Sequence, residues 1–350
     1  LFFDAYRLGE VSNNIKLDYN DVLIEPAPSL VTLTRKMIDI NVDYGYFKGV
    51  PIVITNMLST GTYKIANIMA EHNILTFIHK EYSVKEHLEY FPTLKRPELC
   101  AITSGVQPRD KERTIEICNS ITPGFINVDI ANPYANVQGM IDTIKLYKEK
   151  FPHIKIVAGN VCNTIIVKDL VDAGADIIKI GVGPGAACKT RTEVGTGIPQ
   201  FSAVLEVADY AKQLGVRTIA DGGCVTSGDV CKALAAGADF VMIAGMVSKS
   251  LECDNVVEID GTHYVNFFGL GSNTMYNLTS PSEQEYRPNE GRDLLIPVTG
   301  SIVDVIKQIK GALRSVCTYV GVDSVSKLYD AAKFVRVNSI VNRSLEKYEK

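Results

Sequence analysis

No apolar run in this 350-residue chain approaches the roughly 18–20 residues that a bilayer-spanning helix needs, which argues against a membrane protein. A basic excess is missing too, since 36 lysines and arginines face 40 aspartates and glutamates. Nucleic-acid and membrane-surface binders carry such an excess or stripe, so neither partner is expected. None of the eight cysteines forms a Cys-x-x-Cys pair, and clustered Cys/His pairs are absent. That spacing suits neither a disulfide framework nor a structural zinc site. Leu1-Phe2-Phe3-Asp4-Ala5 offers no basic region, long apolar run or small-residue cleavage site. The expectation is a cytoplasmic protein with reduced cysteines, most of them small buried hydrophobes.

What the chain does have is a repeating alternation. Short runs rich in Val, Ile or Phe occur at 51–55, 74–78, 99–103, 124–130, 155–158, 177–181, 217–220 and 240–244. Such runs fit strands buried on both faces. Amphipathic stretches follow most of them, as at 62–72, 110–119, 137–150, 165–173, 202–214 and 229–236. The phrase Ala-Gly-Ala-Asp introduces two of the strands, at 173–176 and 236–239, with Gly ending a helix and Asp turning the chain. Eight β-then-α units predict an α/β fold of the (β/α)₈ TIM-barrel type, as one domain over residues 1–350. An open doubly wound sheet would carry Gly-x-Gly-x-x-Gly in its first turn, where this chain has Asn56-Met57-Leu58-Ser59-Thr60-Gly61.

Two strand-to-helix connections are long, about 183–200 after the sixth strand and 246–300 after the eighth. In such barrels the loops at the carboxyl ends of the strands build the active site. The first long loop reads Gly181-Val182-Gly183-Pro184-Gly185-Ala186-Ala187-Cys188-Lys189-Thr190-Arg191. A cysteine is usually a buried small residue, but here the neighbouring Lys189 and Arg191 predict an activated thiol. Asp221-Gly222-Gly223 after strand seven and Ala244-Gly245-Met246 after strand eight expose backbone N–H groups where these barrels bind phosphate. No cation adjoins Asp221 in sequence, so its carboxylate is expected to accept ribose hydroxyls, with a turn or N-cap role equally open. In the last loop, Phe267-Phe268-Gly269-Leu270-Gly271-Ser272 could pack on a flat ring, whereas residues 285–292 read as a solvated stretch.

Lys16-Leu17-Asp18-Tyr19-Asn20-Asp21-Val22-Leu23, the Gly183-to-Arg191 loop and Asp221-Gly222-Gly223 resemble the inosine-monophosphate dehydrogenase/guanosine-monophosphate reductase family. The likeness runs from about Lys16 to Val337 and is closer to the reductase branch. The dehydrogenases usually insert regulatory repeats between barrel units two and three, where this chain has room for a single helix. Their flap carries Arg-Tyr, and here the order is Tyr286-Arg287.

The resemblance implies NADPH-dependent deamination of GMP to IMP through a thioimidate on Cys188, with Thr190 and Glu290 relaying a proton. It implies substrate contacts at Asp221, Gly222, Gly223, Ala244, Gly245, Gly269, Leu270, Gly271, Arg287, Pro288, Asn289, Glu290 and Gly291. Coenzyme contacts would fall at Thr34, Arg35, Lys80, Asp129, Ile130, Ala131, Val182, Gly183, Tyr286, Arg287, Ser315, Val316, Cys317 and Thr318. Gly183, Gly185, Cys188 and Arg191 would hold a potassium ion. A homotetramer and a mobile flap over about 270–295 are further expectations. Ala186 stands where the family usually has a phosphate-binding serine, Ala244 replaces a common glycine, and Leu270-Gly271 replaces the reductases' usual Met-Ser. The competing readings are a dehydrogenase without its insert, turning IMP and NAD into XMP, and a non-catalytic nucleotide-binding barrel.

Overall fold

The computed structural model describes residues 14–269, 271–279, 288–338 and 340. Eight parallel strands close into a barrel: β1 (Ile52–Ile54), β2 (Leu75–Ile78), β3 (Cys100–Ser104), β4 (Phe125–Asp129), β5 (Lys155–Val161), β6 (Ile177–Ile180), β7 (Arg217–Asp221) and β8 (Phe240–Ile243). Each overlaps one of the eight predicted runs. The helices that follow them are α1 (Tyr63–Ala70), α2 (Val84–Tyr90), α3 (Pro108–Ser120), α4 (Val137–Lys150), α5 (Val167–Asp172), α6 (Gln200–Gln213), α7 (Ser227–Ala235) and α8 (Ile302–Val320). The connection from β2 to β3 holds α2 and two short 3₁₀ turns and nothing larger.

Strand alternation divides the core into two layers. Val53, Leu75, Phe77, Ala101, Phe125, Val157, Ile177, Ile219, Phe240 and Met242 fill the barrel interior. Ile178, Ile180, Val241 and Ile243 point the other way, into the cluster that also takes in buried residues of the surrounding helices. A hairpin of Val42–Asp43 and Lys48–Gly49 adds Phe47 to the interior layer, its ring 5.1 Å from that of Phe240.

The repeated Ala-Gly-Ala-Asp phrase does one job twice. Asp176 accepts the backbone N–H of Ile156 in β5 at 2.8 Å, and Asp239 accepts that of Thr218 in β7 at 2.9 Å. Each carboxylate thereby satisfies a strand-end donor on the neighbouring strand. Among the described residues, no helix is long and apolar enough to cross a membrane.

The connection after β8 departs from the expected open loop. It folds into a three-stranded antiparallel sheet of β9 (Val256–Ile259), β10 (Thr262–Phe268) and β11 (Asp293–Pro297). Phe267 is buried there against the main core. Its ring is therefore turned inward and is not free to stack on a ligand.

Candidate active site

The loop after β6 and the strand β11 approach meet edge to edge. Cys188 pairs with Gly291 in an isolated antiparallel bridge. Lys189 N–H donates to the Glu290 carbonyl at 2.6 Å, and Arg292 N–H donates to that of Ala187 at 2.9 Å. Gly269 N–H reaches the Arg292 carbonyl at 3.0 Å, so three backbone segments lie side by side. Glycine is required for that approach. A Cβ on Gly269 would lie 2.5 Å from the Ala187 oxygen, and one on Gly291 would lie 2.3 Å from the Ser272 nitrogen.

This zipper brings together side chains a hundred positions apart. Cys188 Sγ lies 3.2 Å from Thr190 Oγ1, which donates to Glu290 Oε2 at 2.6 Å. All three are half-buried, so they remain within reach of a ligand at the barrel mouth. A thiol, a hydroxyl and a carboxylate in one hydrogen-bonded line form a nucleophile with a path for a proton.

The electropositive setting expected for Cys188 is rearranged. The Arg191 guanidinium forms a two-pronged pair with Asp18, at 2.7 and 3.3 Å, and also donates to the Ile198 carbonyl at 2.8 Å. Its charge is thus neutralised by Asp18, and its task is to brace the loop. Asp18 Oδ1 also takes the N–H of Gln200, and the Gln200 amide spans the carbonyls of Ile180 (2.9 Å) and Asp221 (3.1 Å). Gln200 is fully buried and clamps the ends of β6 and β7. Sequence reasoning missed it because a glutamine opening a helix carries no functional pattern.

Asp221 ends β7, and Gly222 and Gly223 follow it. A Cβ on Gly222 would stand 3.0 Å from Pro184, and one on Gly245 would stand 3.6 Å from the Ala186 methyl. The turns after β6, β7 and β8 therefore border one another, which is the place barrels reserve for a phosphate. With alanine at position 186, the hydroxyl contact that a serine there would offer is missing.

Asp221 is not free of cations, as its sequence neighbours had suggested. Lys179 Nζ sits 3.4 Å from Asp221 Oδ2 and 2.8 Å from Asp129 Oδ1. The lysine was hidden in an apolar run, and only the pairing of β6 with β7 and its side chain's reach across the barrel interior to the end of β4 reveal its partners. Burial pushes the Asp129 carboxyl up, but Lys179 and Asn56 outweigh it and hold it below its ordinary range.

The expected coenzyme residues fall into two groups. Lys80, Asp129, Ile130, Ala131, Val182 and Gly183 follow or end barrel strands at the mouth. The segment carrying Lys80 is fixed by Arg113, which donates to the carbonyls of Lys80, Tyr82 and Thr103. Thr34, Arg35 and Thr318 line a separate recess of about 710 Å³ together with Leu33, Lys36 and Tyr319. Arg35 Nε donates there to Ser315 Oγ at 2.8 Å. Ser315, Val316, Cys317 and Thr318 lie near the carboxyl end of α8, and Lys310, midway along the same helix, already reaches the His72 carbonyl just beyond α1. Barrel helices run opposite to the strands, so this recess lies toward the far end of the barrel from Cys188. Cys317 is fully buried inside α8 and presents no surface to the recess. Leu270, Tyr286 and Arg287 lie outside the described residues, as do residues 280–285 of the expected flap.

A family model described as "IMP dehydrogenase / GMP reductase domain" matches residues 16–344. The chain belongs to this family. Among curated relatives, human GMP reductase 1 is 40% identical over 338 residues, covering 93% of this chain and 96% of the relative. The GMP reductase of Ascaris suum is 38% identical, with 95% and 96% covered, and that of Shewanella pealeana is 38% identical, with 95% and 98% covered. Family membership accords with the barrel, the cysteine loop and the turns bordering the phosphate position, all of which lie inside the matched residues.

Proposed function

We propose that this chain is a single-domain GMP reductase that converts GMP and NADPH to IMP, ammonia and NADP⁺ in purine metabolism. The observation that carries the reading is the Cys188–Thr190–Glu290 line, in a family whose relatives of similar length are named for that activity. Sugar hydroxyls donate to Asp221, and the turns at Gly222, Gly223, Ala244 and Gly245 hold the phosphate. Among the described residues, the remaining expected substrate contacts, Gly269, Gly271 and Pro288 to Gly291, are assigned to the base.

The Cys188 sulfur adds to C2 of the guanine ring, and the C2 amine leaves as ammonia, giving a thioimidate. Amine is a poor leaving group until protonated, so the proton that the Cys188 thiol gives up on adding passes through Thr190 and Glu290 to the departing amine. When bound, NADPH supplies the hydride that C2 then receives. Cys188 departs as thiolate, and IMP is free to leave. Lys80, Asp129, Ile130, Ala131, Val182 and Gly183 fit the reactive end of that coenzyme, since they border the same mouth as Cys188.

Thr34, Arg35 and the Ser315–Thr318 group fit its far end, with Arg35 a partner for the 2′-phosphate. Their place at the opposite end of the barrel accords with a homotetramer in which a neighbouring copy supplies them. Carbonyls of Gly183, Gly185 and Cys188, with Arg191 contributing through its backbone, are neutral oxygen donors suited to a monovalent cation such as K⁺. Such an ion would steady the Cys188 loop.

The test runs the chemistry backwards without its last reactant. IMP and NADP⁺ supplied in the absence of ammonia should leave the nucleotide attached to Cys188, visible as a mass increase of the intact protein. Protein that binds IMP and stays unmodified under these conditions would count against covalent catalysis.

A further inference from the structure

Lys179 has no part in the steps above, yet it occupies the most demanding position in the barrel. The whole residue is 1% exposed, and its ammonium group has two carboxylates as partners. Its strand companion two positions earlier, Ile177, faces the same interior and is apolar. Interior layers of these barrels are ordinarily filled by branched apolar side chains. Burying an ammonium there is costly unless its partners compensate it.

The partners come from two different subsites. Asp129 ends β4 and takes Lys179 on Oδ1 and the Asn56 amide on Oδ2, at 2.8 Å each. Asp221 ends β7 and takes Lys179 and the Asn160 amide on Oδ2, at 3.4 and 2.7 Å. Among the described residues, Asp221 Oδ1 accepts no hydrogen bond, so one oxygen is left to a ligand. Room for the lysine stem is made by Gly159 on β5, where a Cβ would lie 2.7 Å from that of Lys179. The cluster therefore gathers two carboxylates around one shared ammonium, with Lys80 acting on Asp129 as a further cation.

We infer that Lys179 is a positioning residue that couples the nucleotide subsite at Asp221 to the coenzyme subsite at Asp129 through one shared cation. The inference rests on the functional reading above, which places the two ligands at these carboxylates. Lys179 offsets the charge of both carboxylates and holds them aimed, as acceptors for hydroxyl groups must be. Without it, the one ammonium the two like charges share is lost, Lys80 remains for Asp129 alone, and each subsite feels the other's charge.

The test is calorimetric binding of GMP to the full chain, with no coenzyme present. Lys179→Met is expected to weaken GMP binding by at least about tenfold. Adding Asp129→Asn to that variant removes the surplus negative charge and should recover at least about fivefold. Asp129→Asn alone should change GMP affinity by less than about threefold, because Lys179 then serves Asp221 undivided.

A purely structural lysine would not give recovery at the nucleotide site from a substitution in the coenzyme site. Lys179→Gln keeps a donor without the charge and replaces the methionine variant where that one does not fold. Undiminished GMP binding by the Lys179 variants, or a loss that Asp129→Asn does not relieve, would overturn the coupling. Misfolding of both variants would assign Lys179 to stability alone and overturn it as well. Wild-type protein that binds IMP but not GMP would overturn the functional reading instead, and the coupling is then read with IMP. Wild-type protein that binds neither nucleotide overturns both.

Discussion

Cys188→Ala is expected to lower turnover of GMP by about 10⁴-fold or more while leaving its affinity within about threefold. In the proposed reaction the thiol makes the covalent bond, whereas Asp221 and the glycine turns after β7 and β8 are assigned to the sugar and phosphate. A thiol is a weak hydrogen-bond donor, so its loss removes little ground-state binding. The loop should survive the change, because its shape is set by backbone pairing with Gly291 and by Arg191 on Asp18. Steady-state turnover and equilibrium GMP binding, measured on the same preparation, check this. Near-normal turnover by the alanine variant would end the nucleophile assignment.

Thr190→Val and Glu290→Gln are each expected to slow ammonia release by roughly 10²–10⁴-fold, the usual worth of a positioned proton donor. Valine keeps the shape of threonine and deletes the oxygen standing between Cys188 Sγ and Glu290 Oε2. Glutamine keeps the hydrogen bond to Thr190 but cannot give up a proton. Hydride transfer between C2 and the coenzyme needs no proton from this line, so it should be far less affected. Single-turnover kinetics begun from GMP, and separately from IMP with NADP⁺, separate the two half-reactions. Equal losses in both would contradict a relay confined to the departing amine.

The barrel was legible because its strands are short apolar runs set off by glycine and aspartate, a signal that does not depend on what they pack against. The polar layer at its mouth was not. Lys179 sits between Ile178 and Ile180 and reads as part of a buried strand, and the carboxylates it joins lie 50 and 42 positions away. Only strand pairing and the curvature of the sheet make them neighbours, which is why Asp221 looked unpaired. The sheet after β8 was hidden for the opposite reason. All four residues of β9 are exposed, so alternation between apolar and polar positions is absent there.

Local pattern alone could show that Cys188 was unusual, through the glycines around it. The pairing of Thr190 with Glu290 came from the family resemblance, since no periodicity links two residues on separate loops. The structure supplies its physical basis in the backbone bridge between Cys188 and Gly291. Arg191 shows how proximity in sequence misleads. It adjoins the cysteine along the chain, but its charge is turned away onto Asp18.

The most direct test of this account is a paired assay of the two reactions open to this family's chemistry. GMP with NADPH should oxidise the coenzyme and release IMP and ammonia in equal amounts, while IMP with NAD⁺ yields little or no XMP. Brisk XMP formation from IMP and NAD⁺, with no NADPH oxidation in the presence of GMP, would contradict it.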